Sequence, residues 1–286
     1  METSARRNTD LLARTQDMAA RARQTTDHVR GQVIQLPLWP DQVRGLPNVL
    51  ARSALFNVAN RTVSREYYKK TIISSLRGIE ITYTGEELRQ SDEDVWAQIL
   101  HLARLSPLGE WVEFGAYGMM KALGWPTNSR SYTRLREAIE RLSATNLSIS
   151  LDGGRKGYGG SLVRKFVWGD LNDGEHSRRW RVWLEKDIVH LFGPVSYTHV
   201  DWKQRLALPP LAKWLHAFYF THREPVNYKV ETLRLLCGSD SKQLFHFRAK
   251  LRHALELLKE VGFLDGWHLD VATDNVRVVR RGRLLA

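Results

Sequence analysis

Beyond residue 50 the apolar positions of this chain change period several times, and each change marks an element. Ala54, Leu55, Phe56 and Val58 precede Ile72, Ile73, Ile79, Ile81 and Tyr83, a pattern of short strands that opens a domain. The period then becomes helical. Val95, Trp96, Ile99, Leu102 and Leu105 lie on one helix face until Pro107 and Gly109 end the run, and Ser91 with Asp94 three residues on predicts its cap. Trp111, Val112 and Phe114 form a short apolar run. Tyr117, Met120 and Leu123 predict a second helix, closed by Gly124 with Pro126 just beyond.

Asn128 or Ser129 caps a third helix, with Leu135, Ala138, Ile139 and Leu142 on its inner face and Arg130, Thr133, Arg134, Glu137 and Arg141 on its outer one. Leu147, Ile149 and Leu151 then alternate as a strand. After the basic loop DGGRKGYGG, Leu162, Val163, Phe166 and Val167 predict the returning strand. Helix, strand, helix, turn, helix and hairpin is the order of a winged helix.

That order recurs after Leu208. Leu211, Trp214, Leu215, Phe218 and Tyr219 predict a first helix ending before Pro225; Val230, Leu233, Leu235 and Leu236 a second ending at Gly238; and a third runs from Ser239 or Ser241 to Gly262. Phe263, Trp267 and Leu269, then Val276, Val278 and Val279, complete a hairpin. The expected fold is therefore α+β: a flexible N-terminal arm over residues 1–49, a first winged-helix domain over 50–201 and a second over 202–286, connected near Trp183 to Leu208.

Composition narrows the partner. The 286 residues carry 43 Lys and Arg against 31 Asp and Glu, a net charge of +12. Such an excess favours polyanions, nucleic acid before an anionic membrane surface, because neutralised phosphates release counterions. Residues 202–286 hold 15 basic and 8 acidic groups, against 15 and 14 for 88–201, so the second domain is expected to bind DNA more strongly. The chain lacks an apolar run of the roughly 18 residues that span a bilayer, and its first residues lack the apolar stretch of a secretory signal, so a cytoplasmic location is expected. A single cysteine, Cys237, excludes an internal disulfide.

In a helix-turn-helix the last helix enters the major groove. At about 100° per residue, Leu244, Phe247, Leu251, Ala254, Leu255 and Leu258 face the core, which leaves Ser241, Lys242, Phe245, His246, Arg248, Ala249, Arg252 and His253 outward. Phe245 either touches thymine methyl groups or packs on its own wing or the other domain. Lys242 and Arg248 are expected to reach guanine edges or phosphates. Arg277, Arg280, Arg281 and Arg283 on the last strand and tail would grip phosphates, and Arg155 and Lys156 sit at the tip of the first domain's expected wing.

Residues 1–31, mixed in charge and poor in large apolar groups, read as a solvated arm. Gln35-Leu36-Pro37-Leu38-Trp39, followed by Pro40, is held extended by its prolines; it fits either a pocket on another protein or this protein's own first domain. Enzyme motifs fail at the residue level. There is no G-x-x-x-x-G-K-[ST] loop, no H-E-x-x-H and no H-x-H pair, and Asp170, Asn172, Asp173 and Glu175 miss a calcium loop because Glu175 and Arg181 stand where glycine and glutamate are needed. No cofactor is expected.

ARSALF (Ala51 to Phe56), ITYTGEEL (Ile81 to Leu88), Val95-Trp96, YTRLREAIERLSAT (Tyr132 to Thr145), THREP (Thr221 to Pro225) and ETLRLLCGSDS (Glu231 to Ser241) occur in order. On these blocks the chain resembles the TrfA-type replication initiators of broad-host-range bacterial plasmids. The resemblance implies two winged helices that bind directly repeated origin sites, or iterons, without catalysis. It further implies opening of adjacent A/T-rich DNA, contact with its single strands, recruitment of the host initiator and helicase, and a monomer–dimer equilibrium. It also implies that Gln35, Leu36, Leu38 and Trp39 match a Q-L-x-L-F peptide that engages the DNA polymerase sliding clamp. The alternative on the residues alone is a winged-helix transcriptional repressor.

Overall fold

The computed structural model describes residues 34–169, 179–224 and 226–282, and those from Gln35 onward belong to one unit. In chain order the unit opens with β1 (Val43–Pro47), α1 (Asn48–Ala51), β2 (Phe56–Asn57), β3 (Tyr67–Ile73), β4 (Ile79–Glu86), β5 (Leu88–Arg89) and α2 (Gln90–Ala103). Then come β6 (Trp111–Gly115), α3 (Ala116–Ala122), α4 (Ser129–Ser143), β7 (Asn146–Leu151), β8 (Lys156–Gly160), β9 (Lys165–Val167), β10 (Arg179–Trp183) and β11 (Tyr197–Asp201). The last part holds α5 (Trp202–Ala207), α6 (Pro210–Phe220), β12 (Tyr228–Lys229), α7 (Val230–Leu236), α8 (Leu244–Glu260), β13 (Leu264–Asp270) and β14 (Asn275–Arg280).

Two sets of these elements follow one plan. In the first, α2, β6, α3, α4, β9 and β10 succeed one another, and the strands pair in the order β6-β10-β9. In the second, α6, β12, α7, α8, β13 and β14 do the same, in the order β12-β14-β13. In both sheets the last strand lies between the other two, and all pairings are antiparallel. The architecture is two tandem winged helices.

The first copy carries an insertion between its third helix and its wing. β7 and β8 form a hairpin that pairs with β4, completing an antiparallel sheet ordered β3-β4-β7-β8. This corrects the sequence reading of the hairpin. The strand returning from β7 is Lys156–Gly160, inside the glycine-rich segment, where three of five residues are glycine and the remaining large side chain, Tyr158, is buried. Phe166 and Val167 instead pair with β10 as the true wing. The connection between β9 and β10, with Asp170, Asn172, Asp173 and Glu175, lies outside the described residues.

The arm boundary also moves. Val43–Pro47 pairs with Tyr197–Asp201 along its whole length, so residues 35–49 belong with the folded unit rather than with the arm. The first thirty-three residues lie outside the described set.

Helix starts differ from expectation where a polar side chain is needed elsewhere. α2 is capped by Asp92, whose Oδ2 accepts the Arg89 backbone N–H at 2.9 Å. Neither Ser91 nor Asp94 caps it, because Asp94 is committed to two cations described below. α8 begins at Leu244 rather than at Ser239 or Ser241. Ser241 is buried in the preceding turn, its carbonyl accepting from Arg234 at 3.2 Å and its hydroxyl from Lys250 at 2.9 Å. Asn128 caps α4 as expected, accepting from Ser131 N–H at 2.9 Å.

Each copy has its own core. Trp96 sits at the centre of the first, its indole N–H donating to the Leu162 carbonyl at 3.1 Å, with Leu135, Ile139, Leu142, Trp180 and Val182 fully buried. In the second, Phe247, Leu251, Leu255 and Leu258 of α8 pack on Trp214 and Phe218 of α6. At about 1.5–3 kcal/mol per buried side chain, those four residues alone fix the face that α8 turns inward.

Between the copies, apolar packing is supplemented by a buried polar cluster. Arg205 of α5 has no exposed surface, and its guanidinium donates to Asp94 Oδ1 at 2.8 Å, Glu93 Oε2 at 2.9 Å and Gln90 Oε1 at 3.1 Å, all on α2. Lys213 of α6 pairs with the other oxygen of Asp94. Burial alone would raise the Asp94 carboxyl, but Lys213 and Arg205 hold it below the usual range. Gly238 closes α7 at φ 62°, and a Cβ there would stand 2.7 Å from Asn57 Cβ, so both conformation and space require glycine.

Removing one partner of a buried ion cluster strands the others. Arg205→Met is expected to cost about 3–5 kcal/mol, read as a lower urea midpoint, whereas Arg281→Ala, at an exposed pair with Asp265, leaves the midpoint close to that of the native chain.

Candidate nucleic-acid interface

α8 presents a two-sided surface as its spacing requires. Phe247, Leu251, Ala254, Leu255 and Leu258 are buried; Phe245, His246, Ala249, Lys250, Arg252 and His253 are exposed, as is Lys242 in the turn before the helix. Phe245 is 58% exposed, and its ring centre lies 3.9 Å from that of His246 on the same helix. An aromatic displayed among cations is costly to leave in water and suits contact with base edges or methyl groups.

Arg248 does not belong to that open face. Its guanidinium makes a bidentate pair with Asp274, Nε to Oδ1 at 2.7 Å and Nη2 to Oδ2 at 2.9 Å. Asp274 sits in the wing turn with φ 56°, so Arg248 ties α8 to the wing and fixes its turn. Ser241 is likewise withdrawn, buried and bonded to Lys250. Lys250 was missed by the sequence reading although the signal was there. It precedes Leu251 as Arg252 follows it, so the two stand about 100° from the core stripe on opposite sides.

The wing strands add exposed cations on one side. Arg277 is exposed and stands opposite His268 in register, so both side chains project from the same sheet face. Arg280 is engaged, donating to the Tyr219 carbonyl at 3.1 Å and the Arg223 carbonyl at 2.6 Å, which ties the last strand to the end of α6. Arg281 is exposed and paired with Asp265 at 3.0 Å. Arg283 lies outside the described residues.

In the first copy, Arg130 and Thr133 are exposed on α4, and Asn128 at its start borders a groove of about 820 Å³ with Tyr117 and Thr133. Arg134 is half-buried, its guanidinium carbon 3.7 Å from the ring centre of Trp125. Arg141 is turned inward, donating to Asp92 Oδ1 at 2.9 Å, so it fastens α4 to α2 rather than facing outward. Arg155 and Lys156 are exposed at the turn of the inserted β7–β8 hairpin, away from the wing they were assigned to.

Gln35 to Trp39 lies against the body of the protein. Gln35 Nε2 donates to the Arg104 carbonyl at 2.7 Å, and Trp39 Nε1 donates to His101 Nδ1 at 3.1 Å. Leu36 is 2% and Trp39 4% exposed, with Phe192 stacked on the indole at 6.0 Å, whereas Leu38 is 69% exposed. Of the two occupants left open by the sequence, the protein's own first domain is the one present. His101 must be neutral at Nδ1 to accept from Trp39, and burial with the charges of Arg44 and Arg104 pushes its pKa down to about 4.

Among the described residues, no group of three His, Cys, Asp or Glu could hold a metal ion, and no helix is long and apolar enough to cross a membrane. Cys237 is buried, which pushes its thiol up to about 12.

Two helix-turn-helix units, each backed by a three-stranded wing sheet and one displaying a cationic aromatic surface, define a tandem winged-helix protein. A family model described as TrfA protein matches residues 6–280, and the chain belongs to that family. It is 35% identical over 247 residues to the plasmid replication initiator protein TrfA of Escherichia coli, a match covering 83% of this chain and 64% of the length of that relative. Two crystal structures of domains 2 and 3 of RctB superpose on it with TM-scores of 0.49 and 0.48, each at 13% identity. They cover 72% and 71% of this chain, and 82% and 81% of theirs.

The His101 contact sets a pH dependence. Docked His101 binds fewer protons than free His101 between about pH 4 and pH 6.5, so docking of Trp39 is complete above that window and weakens as pH falls through it. The expected readout is a red shift in tryptophan emission over that range in the native chain, absent from the Trp39→Phe variant.

Proposed function

We propose that this protein is a plasmid replication initiator that seats its two winged helices on duplex DNA repeats at an origin and acts by binding, without catalysis. The observation that carries the reading is the exposed face of α8, where Phe245, His246, Arg252 and His253 surround Ala249 on a helix whose opposite side is locked in the core, with exposed Lys242 in the turn just before it. Membership of the TrfA family supports the biological setting. Phosphate contacts by Lys242, Arg252 and Arg277 fix the register, while Phe245 and the histidines read base edges. α4 of the first copy, through Arg130 and Thr133, contacts a neighbouring stretch of the same site.

Binding energy from an array of protomers on tandem repeats offsets the cost of bending the duplex and exposing an adjacent A/T-rich strand. In this reading the sliding clamp is engaged by Gln35 to Trp39. That contact requires Trp39 to leave its place against Phe192 and His101, with exposed Leu38 as the first point of contact. Host initiator and helicase recruitment, and exchange between monomer and dimer, complete the proposal.

Affinity for origin repeats, measured against salt, tests the DNA-reading face. Lys242→Ala with Arg252→Ala is expected to reduce the magnitude of the log–log salt slope by about 2, near 0.9 for each phosphate no longer neutralised. Phe245→Ala is expected to keep the slope and narrow the gap between repeat and random duplex. An unchanged slope together with an unchanged gap would exclude α8 as the reading helix.

A further inference from the structure

Outside the face of α8, arginines converge around a small cavity in the first copy. The segment before β3, the start of α2 and the middle of α4 enclose a cavity of about 170 Å³, several times the roughly 30 Å³ that one water occupies in the liquid. Arg61, Arg65, Arg89, Arg134 and Arg141 all line it, against two carboxylates, Asp92 and Glu137.

The charges in its wall do not cancel. Asp92 is fully buried and shared between Arg65 at 2.8 Å and Arg141 at 2.9 Å, besides accepting the Arg89 backbone N–H. Arg89 spends its side chain on Glu87 at 2.7 Å. Arg61 and Arg134 have no carboxylate within ion-pair distance among the described residues. Arg134 lies over the indole of Trp125, its guanidinium carbon 3.7 Å from the ring centre, and both line the cavity. Burial, then the nearby charge of Arg61, lowers the pKa of Arg134, a cost that an anion between the two would remove.

We infer that this cavity binds a phosphoryl group, with Arg61 and Arg134 as its two donors and the Asp92-anchored arginines as the fixed wall behind it. A planar guanidinium fixed by stacking offers two parallel N–H groups to tetrahedral oxygens, and a second arginine at the mouth closes the other side. Because α4 supplies Arg134, the group comes either from the backbone of DNA lying along α4 or from a free phosphate ester; the first source rests on the DNA-binding reading above, and the second does not.

The test uses the full chain and two probes. In the first, inorganic phosphate is titrated and its ³¹P line width followed: saturable broadening is expected, weakened at least about tenfold by Arg61→Gln or by Arg134→Gln, the effect of removing one charge-assisted hydrogen bond. Arg61 is exposed and holds no ion pair among the described residues, so its variant keeps the fold if Arg134→Gln does not. In the second, duplex affinity is measured against salt. A slope smaller by about 1 in Arg61→Gln supports the site with DNA as the source of the phosphate; an unchanged slope with phosphate binding abolished supports it with a free ester as the source. Absence of saturable broadening in the native chain, or broadening indifferent to both arginines, overturns the proposal. Neither result depends on Lys242 or Arg252, so it is separable from failure of the α8 reading.

Discussion

The guanidinium of Arg205 lies out of reach of water, and the relation between the two winged helices depends on how it is satisfied. An unpaired charge at such a position costs several kcal/mol even after relaxation, so the ion is tolerable only while Asp94, Glu93 and Gln90 surround it. Those three acceptors lie on the first two turns of α2, and Arg205 lies on α5, just before the second copy begins. Any rotation of one copy against the other would break directional bonds to three side chains at once. Apolar packing alone permits sliding; a buried guanidinium with fixed acceptors does not. Burial raises both neighbouring carboxyls and Arg205 lowers both: at Glu93 burial, with the charge of Asp94, prevails and the carboxyl stays raised, while at Asp94 the added Lys213 brings it below the usual range.

This cluster shows a wider division among the cations. A charge of +12 suggests a surface covered in phosphate-binding groups, but many of the arginines work inside the fold. Arg52 donates to the hydroxyl and carbonyl of Thr221, Arg104 to the carbonyl of Trp39, and Arg280 to the end of α6. Arg141 and Arg248 use carboxylates to fix α4 and α8, one against α2 and one against the wing. The groups left on the surface of α8 are fewer and better defined. Charge that holds a scaffold rigid keeps the remaining charge in register with a regular polyanion.

Much of this was legible in the sequence. The inward faces of α4 and α8 follow from helical spacing, because Leu135, Ile139, Phe247 and Leu251 had nowhere else to pack, and the element order of both copies follows from the same periods. Tertiary partners were not legible. Nothing local distinguishes Arg248 from Arg252 four residues on, yet one meets Asp274 from the wing turn and the other meets solvent. Nor does local pattern reveal that Tyr158 buries itself and makes Lys156–Gly160 the returning strand: three glycines in five residues read as a loop until β7 offers them a partner. Ser91 and Asp94 fit a capping pattern, but the demand of Arg205 for Asp94 is long-range and outweighs it.

The docked segment Gln35 to Trp39 follows the same logic of competing partners. Its tryptophan is anchored on one side by aromatic stacking and on the other by a single hydrogen bond to a neutral histidine, whereas Leu38 contributes almost nothing to the contact. A side chain of leucine size left in water forgoes about 1.5–3 kcal/mol that burial would supply, which is a standing bias toward any pocket able to take it. Pro37 and Pro40 restrict the backbone on either side of Leu38 and Trp39 and keep the segment extended. The segment is thus held by Gln35, Leu36 and Trp39 and offers Leu38. Whether the segment stays docked is set by the strength of a competing pocket against the aromatic contacts of Trp39, the burial of Leu36 and the hydrogen bonds to His101 and Arg104.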